Sequence, residues 1–213
     1  VEDSVPLIEH ASIDRADHGV LVRHTNDTLR TRAVMRDISI SNSMYKGLYI
    51  DKTDHTNYAN YQAAIIEGLT VTGTGGLGAK TAGLATAAID VNASGAWIED
   101  AILDDNDAVG IKLYFVDSTS TFTNISINSS GGLGGGANSA GVSIFASYFA
   151  ANFDGLEVSN STGPGVHASS GGAIQGSGWN LHDNGAQGFW LDSAATIVDG
   201  LVLTGNGDDG VHI

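Results

Sequence analysis

The sequence has no cysteine, which excludes both a disulfide framework and a thiolate metal site. Proline occurs only twice, and no apolar run approaches the length of a membrane-spanning helix. No signal-peptide pattern is visible. No segment sustains a helical apolar periodicity, so helices cannot supply the core. Basic residues are scarce, nine against 24 acids, for a formal net charge of −15. That balance excludes nucleic-acid binding, which needs a positive footprint. The bases are also unevenly spread: after Lys52 only Lys80 and Lys112 follow, and the C-terminal hundred residues carry acids and histidines alone. Such a body, rich in Ser, Thr and Asn, suits an extracellular or cell-surface setting.

What the chain does have is glycine, 29 residues of it, and a repeat. Gly188-Phe189-Trp190-Leu191 has close copies beginning at Gly19, Gly47, Gly110, Gly141, Gly165 and Gly210, with Ala88 filling one slot. A second cassette precedes each copy, as in Ile38-Ser39-Ile40, Leu69-Thr70-Val71 and Leu156-Glu157-Val158. Three residues before that cassette stands a further apolar position: Ile8, Met35, Ile66, Ile98, Phe122, Phe153 and Val198, a column that Gly176 interrupts. The unit has three short strands and a period of about 22 to 24 residues, a length typical of solenoids. A three-residue strand cannot bury its apolar side in a lone hairpin. Stacked coil on coil at ~4.8 Å, equivalent side chains form one continuous core. The reading is a parallel β-solenoid of about eight coils, roughly 35 to 40 Å long at that rise.

Asn-rich turns lead into several copies: Asn160 to Val166, Asn184 to Phe189 and Asn206 to Val211. With these turns the whole chain resembles the right-handed parallel β-helix repeats of the pectate-lyase-like superfold. The resemblance implies the handedness, which periodicity cannot give. It leaves activity open, because this fold hosts lyases, hydrolases, esterases, tailspikes, adhesins and surface-layer components. A single domain spanning 1–213 is expected. Its first residue is Val and its last coil stops inside a strand, so it reads as a segment of a longer protein. Adjoining coils or domains of that chain are the expected partners, and bare end coils would self-associate through their strand edges.

Three groups of residues carry chemistry. The first is aromatic. Tyr58 and Tyr61 lie in an insertion of coil two that also carries Tyr49, where flat, amphipathic rings could stack on a sugar or simply fold the loop back. His167, Trp190 and His212 occupy the outward position of successive Gly-Φ-x-Φ strands, which suits contact with a polysaccharide or packing against a neighbour. The second is acidic. Asp104, Asp105 and Asp107 share one turn and suit calcium, or a solvated acidic surface. Insertions at Gly73–Leu84 and Ser129–Ser139 should flank that turn and leave a notch at coil four. The third is the set of sequons at Asn26, Asn92, Asn124, Asn128 and Asn160, either glycosylated or ordinary polar turn residues.

Two ladders are also expected to carry charge. Arg36 should stack between Glu9 and Glu67, with Glu99 next in line, and Asp90 should pair with Lys112 at the surface. No nucleophile-base set can be ordered from these columns. A polygalacturonase-like or pectate-lyase-like site would need basic elements that the C-terminal half lacks. The sequence therefore points first to an extracellular structural or binding segment of a large surface protein, in an adhesin, surface-layer or tailspike-like role with glycan contact. The alternative is a fragment of a polysaccharide lyase or glycoside hydrolase with its site near the coil-four notch.

Overall fold

The computed structural model describes residues 7–24, 33–52, 64–75, 86–116, 120–131, 139–146 and 150–213. Coil one holds β1 (Leu7–Glu9), β2 (Ser12–Asp14) and β3 (His18–His24). Coils two to four hold β4 (Ala33–Ser41), β5 (Lys46–Lys52), β6 (Ala64–Thr72), β7 (Ala87–Asn92), β8 (Ala96–Asn106) and β9 (Val109–Tyr114). Coils five and six follow with β10 (Ser120–Ser130), β11 (Val142–Phe145), β12 (Ala151–Ser159) and β13 (Val166–Ser169). The last two contain β14 (Ala173–His182), β15 (Phe189–Asp192), β16 (Ala195–Thr204) and β17 (Val211–His212).

All strand pairs are parallel, and each strand pairs with its equivalents in the adjoining coils. One sheet runs β1-β4-β6-β8-β10-β12-β14-β16, with β2 alongside β4, and the other runs from β3 to β17. The registers reproduce the columns of the repeat. Met35 pairs with Ile66, Ile66 with Ile98, Ile98 with Phe122 and Phe122 with Phe153. Their side chains are fully buried and belong to one continuous apolar core. The fold is a parallel β-helix.

The three expected strands per coil become two from coil two onward. The first two cassettes are arms of one long strand, bent where a left-handed residue sits between them. That residue is Asp37, Gly68, Asp100, Asn124, Gly155, Gly178 and Gly200 in successive coils. A left-handed residue turns the chain while the ladder continues on either side, so no break in pairing separates the arms. A second left-handed column follows the second arm, through Asn42, Gly73, Asp105, Ser129, Asn160, Asp183 and Gly205. The side-chain preference behind both is the same: Asn, Asp and Gly tolerate this conformation best.

Beyond the second bend lies an internal polar column. Ser43, Thr74, Asn106, Ser130, Ser161 and Asn184 are all buried. The Asn184 Oδ1 accepts the Ser161 N–H at 3.1 Å, while its Nδ2 donates to the Val158 carbonyl at 3.2 Å. Asn106 does the same for Thr74 N–H and the Val71 carbonyl. Each amide thus satisfies turn groups of the coil before it, which buried backbone requires. The small residue opening each Gly-Φ-x-Φ strand has a steric cause: a Cβ at Gly141 would collide with Val158 and approach the Gly165 carbonyl.

Candidate functional site

The outward side chains of the second sheet form two ladders. In the first, Leu21, Tyr49, Asp90, Lys112, Ser143, His167, Trp190 and His212 stand in register, as the repeat predicts. The second is Arg23, Asp51, Asn92, Tyr114, Phe145, Ser169 and Asp192. Outward does not mean exposed here: Asp51, Asp90, Ser143, His167 and Ser169 are all buried.

At the N-terminal end this face is an ion-paired cluster. Lys46 Nζ lies 2.7 Å from Asp90 and 3.3 Å from the centre of the Tyr49 ring. The expected surface pair between Asp90 and Lys112 is therefore replaced by a buried one with Lys46, because Lys46 reaches across from the start of β5. Arg23 Nε sits 3.3 Å from Asp51, which also accepts a hydrogen bond from Asn92 Nδ2 at 3.0 Å. Burial, with the Asp51 and Asp90 charges, pushes the Tyr49 hydroxyl up to about 12. His18 lies 5.8 Å from both Tyr45 and Tyr49, and burial followed by the Lys46 charge holds it below the usual histidine range. Tyr49 is thus packed among charges rather than presented as an open platform.

In the middle, Tyr114 and Phe145 stack at 5.3 Å, with Phe115 edge-on to both. At the C-terminal end His167 and Trp190 lie 4.5 Å apart at 36°, and His212 meets Trp190 edge-on at 5.9 Å. The indole thus has an imidazole against each side, which leaves its rim outward. Among the described residues neither ring nitrogen of His167 has a hydrogen-bond partner, and burial lowers its pKa.

The acidic turn of coil four is spread out. Asp105 takes the left-handed position, Asp104 accepts from Asn128 Nδ2 at 2.7 Å, and Asp107 is exposed. Among the described residues no group of three or more histidine, aspartate or glutamate side chains is placed to hold a metal ion. The Arg36 ladder forms as expected, with the guanidinium donating to Glu67 at 2.8 Å and to Glu9 at 3.3 Å. Four sequon asparagines donate Nδ2 to the preceding coil: Asn92 to Asp51, Asn124 to Asp100, Asn128 to Asp104 and Asn160 to Asn128. Tyr58, Tyr61 and Asn26, and the central parts of the insertions expected to wall the notch, lie outside the described residues.

One feature escapes the sequence reading. Along the outside of the bent strands, over coils five to seven, a groove of about 390 Å³ is lined by Asn124, Ser126, Gly155, Glu157, Gly178 and Asn180. It sits at the bend, where the left-handed column turns to glycine and leaves the corner unfilled. On coil four exposed Ile102 stands in register with Ser126 at the end of the groove, and exposed Trp97 stands on the other arm, in register with Thr121. The alternation of each arm gives these outward positions in advance. That the outer corner is concave requires the bend itself.

No protein-family model matches the sequence, and comparison with curated proteins finds no significant match. Among solved structures, full-length tailspike protein 2 of the Escherichia coli O157:H7 bacteriophage CAB120 is similar, with a TM-score of 0.51 at 12% identity. The likeness covers 94% of this chain and 35% of the tailspike chain. The chain spans about a third of that protein's length, and at this identity the likeness is one of fold. Register, bends and structural neighbour agree that this chain is a parallel β-helix.

Proposed function

We propose that the chain is a structural and binding segment of a larger extracellular surface protein, a stiff rod whose flanks contact glycans. The observation that carries this reading is the arrangement of outward ladders. The hydroxyl of Ser126, the carboxylate of Glu157 and the amide of Asn180 stand accessible at coil spacing on a core that is apolar throughout. Rigid backbone ladders hold such groups at little further entropic cost, the condition for recognition by many weak contacts. The similar tailspike structure supports a surface role at the level of fold. Retention on immobilised polysaccharides, without release of reducing or unsaturated sugar, tests the reading. Failure to retain any glycan across a broad panel removes the binding half of it.

A carbohydrate-active enzyme is the second reading. On its side are two buried carboxylates, Asp51 and Asp90, on one face beside Tyr49. Each already has a cationic partner, which suits a structural cluster better than a proton-transferring pair. Release of sugar from a polysaccharide panel, abolished in Asp90→Asn, would reverse this preference.

A further inference from the structure

We infer that the groove at the outer bend of coils five to seven binds a neutral, unbranched glycan chain lying along the solenoid axis. This rests on the glycan reading above and goes further, fixing the place, the orientation and the class of sugar.

The place follows from shape. The groove has a volume of about 390 Å³, and the glycine column at its floor keeps the bend open across adjoining coils. A Cβ at Gly178 would have nothing nearer than 4.0 Å, so the corner is unfilled by the protein itself. Polar groups converge on it. Ser126, Glu157 and Asn180 are consecutive outward residues of β10, β12 and β14, in register with one another. Among the described residues, the Ser126 hydroxyl and the Asn180 amide have no side-chain hydrogen-bond partner. One oxygen of Glu157 is held by His182 at 3.3 Å, and the other is available to accept. Asn124 donates its Nδ2 to Asp100, which leaves its carbonyl oxygen facing the groove.

The orientation follows from spacing. These hydroxyl, carboxylate and amide groups repeat once per coil, at ~4.8 Å. That interval is close to the advance of one pyranose in an extended chain, so each coil meets one sugar. Ile102 stands exposed on coil four in register with Ser126, where the apolar face of a sugar can rest on it at the groove's end.

The class follows from charge. Glu157 is the groove's only ionisable side chain, and the chain has no lysine or arginine after Lys112. The one nearby group that can carry positive charge, His182, is already engaged by Glu157 and Asp183, so a uronate or a sulfate meets a wall carboxylate with no free cation to offset it. Hydroxyl groups, by contrast, can donate to Glu157 and accept from Ser126 and Asn180.

The test uses the full chain and three sets of oligosaccharides of equal length: neutral β-linked glucans and mannans, polyuronates, and chitosan oligomers. Binding is read by calorimetry or by chemical-shift perturbation. The inference expects neutral oligomers to bind, affinity to rise with length up to about one sugar per groove coil, and polyuronates not to bind. Asn180→Ala and Ile102→Ala should each weaken binding about tenfold, the scale of one lost hydrogen-bonded or apolar contact. Trp190→Ala, on the other face, should leave it unchanged. All three variants must keep the parent's unfolding midpoint to within a degree or two, and Ser126→Arg, which fills the groove from a half-buried outward position, repeats the test should one of them not.

Glycan binding that Trp190→Ala abolishes and the groove variants leave intact overturns the inference while keeping the wider reading. Preferential binding of polyuronate or of chitosan overturns the class. No binding of any oligomer overturns the inference and the glycan reading together.

Discussion

Asn184 shows how a single side chain holds two coils in phase. It is buried, accepts from the Ser161 N–H and donates to the Val158 carbonyl and to Asn206 Oδ1. Asn184→Ala leaves buried backbone groups without partners, so a loss of about 2–3 kcal/mol is expected in urea unfolding. Asn184→Ser, too short to reach both groups, should recover little of it. His167 presents the opposite case: its imidazole is buried against Trp190 with neither nitrogen satisfied among the described residues. His167→Phe should therefore stabilise the fold by about 1 kcal/mol, since the ring packing is kept and the unmet polar groups are removed. A destabilised His167→Phe would mean that the imidazole has a partner in solution. Sequence alone made the column position of His167 legible, because the Gly-Φ-x-Φ repeat fixes which way it points. Its burial was not legible, since a period of two gives a side chain's direction and says nothing of what lies over it.

At the scale of elements, the bent long strands and their inter-coil contacts set how stability responds to pH. His182 on β14 places Nδ1 2.8 Å from Asp183 and Nε2 3.3 Å from Glu157 of β12. The Asp183 hydrogen bond first, then Glu157, raises its pKa above the ordinary histidine value of 6.5. Its contribution is therefore complete below about pH 6.5 and is lost as the pH climbs through the raised folded value. His167 behaves inversely. Burial depresses its pKa, so the folded state is at full advantage above the ordinary value and loses ground as the pH falls below it. Unfolding midpoints measured from about pH 5 to about pH 9 should show both limbs. His182→Gln should flatten the alkaline limb and His167→Phe the acidic one; a limb unchanged by its own variant contradicts the assignment.

Packing along β14 makes a second point at this scale. Gly176 interrupts the first apolar column, and the fully buried Trp179 fills the gap, donating Nε1–H to the Phe153 carbonyl at 2.8 Å. Trp179→Ala should cost about 3–5 kcal/mol by cavity formation and loss of that bond. The gap at Gly176 was visible in the repeat. What fills it was not, because the compensation comes from another column and depends on the bend at Gly178. The same bend explains why three expected strands became two, and why the groove beside Asn180 went unseen.

The whole molecule is a rod with its charge unevenly placed. Eight acids and no lysine or arginine follow Lys112, so the C-terminal half repels itself. Added NaCl should raise Tm by screening that repulsion, and the gain should level off once the Debye length falls below about 8 Å, near 0.15 M. The repeat period and the apolar columns were enough to specify parallel coils, since strands this short have few other ways to bury one face. Function was less legible, because the fold places recognition on outward side chains whose neighbours are set by coil stacking. The charge pairing of Asp90 illustrates this: its register neighbours are Tyr49 and Lys112, yet its partner is Lys46.

The in-register stacking on which each of these arguments depends can be measured by cross-linking, and the absence of cysteine makes the background clean. Ser126 and Glu157 are register partners on adjoining coils, whereas Ser126 and Asn180 are separated by two coils. A spacing of ~4.8 Å falls within the Cα range of a disulfide, and twice that spacing exceeds it. Under mild oxidation the Ser126→Cys/Glu157→Cys variant should close an intramolecular disulfide nearly quantitatively, and Ser126→Cys/Asn180→Cys should remain reduced. Efficient closure of the second pair, or none of the first in a folded protein, would contradict the parallel coil-on-coil arrangement.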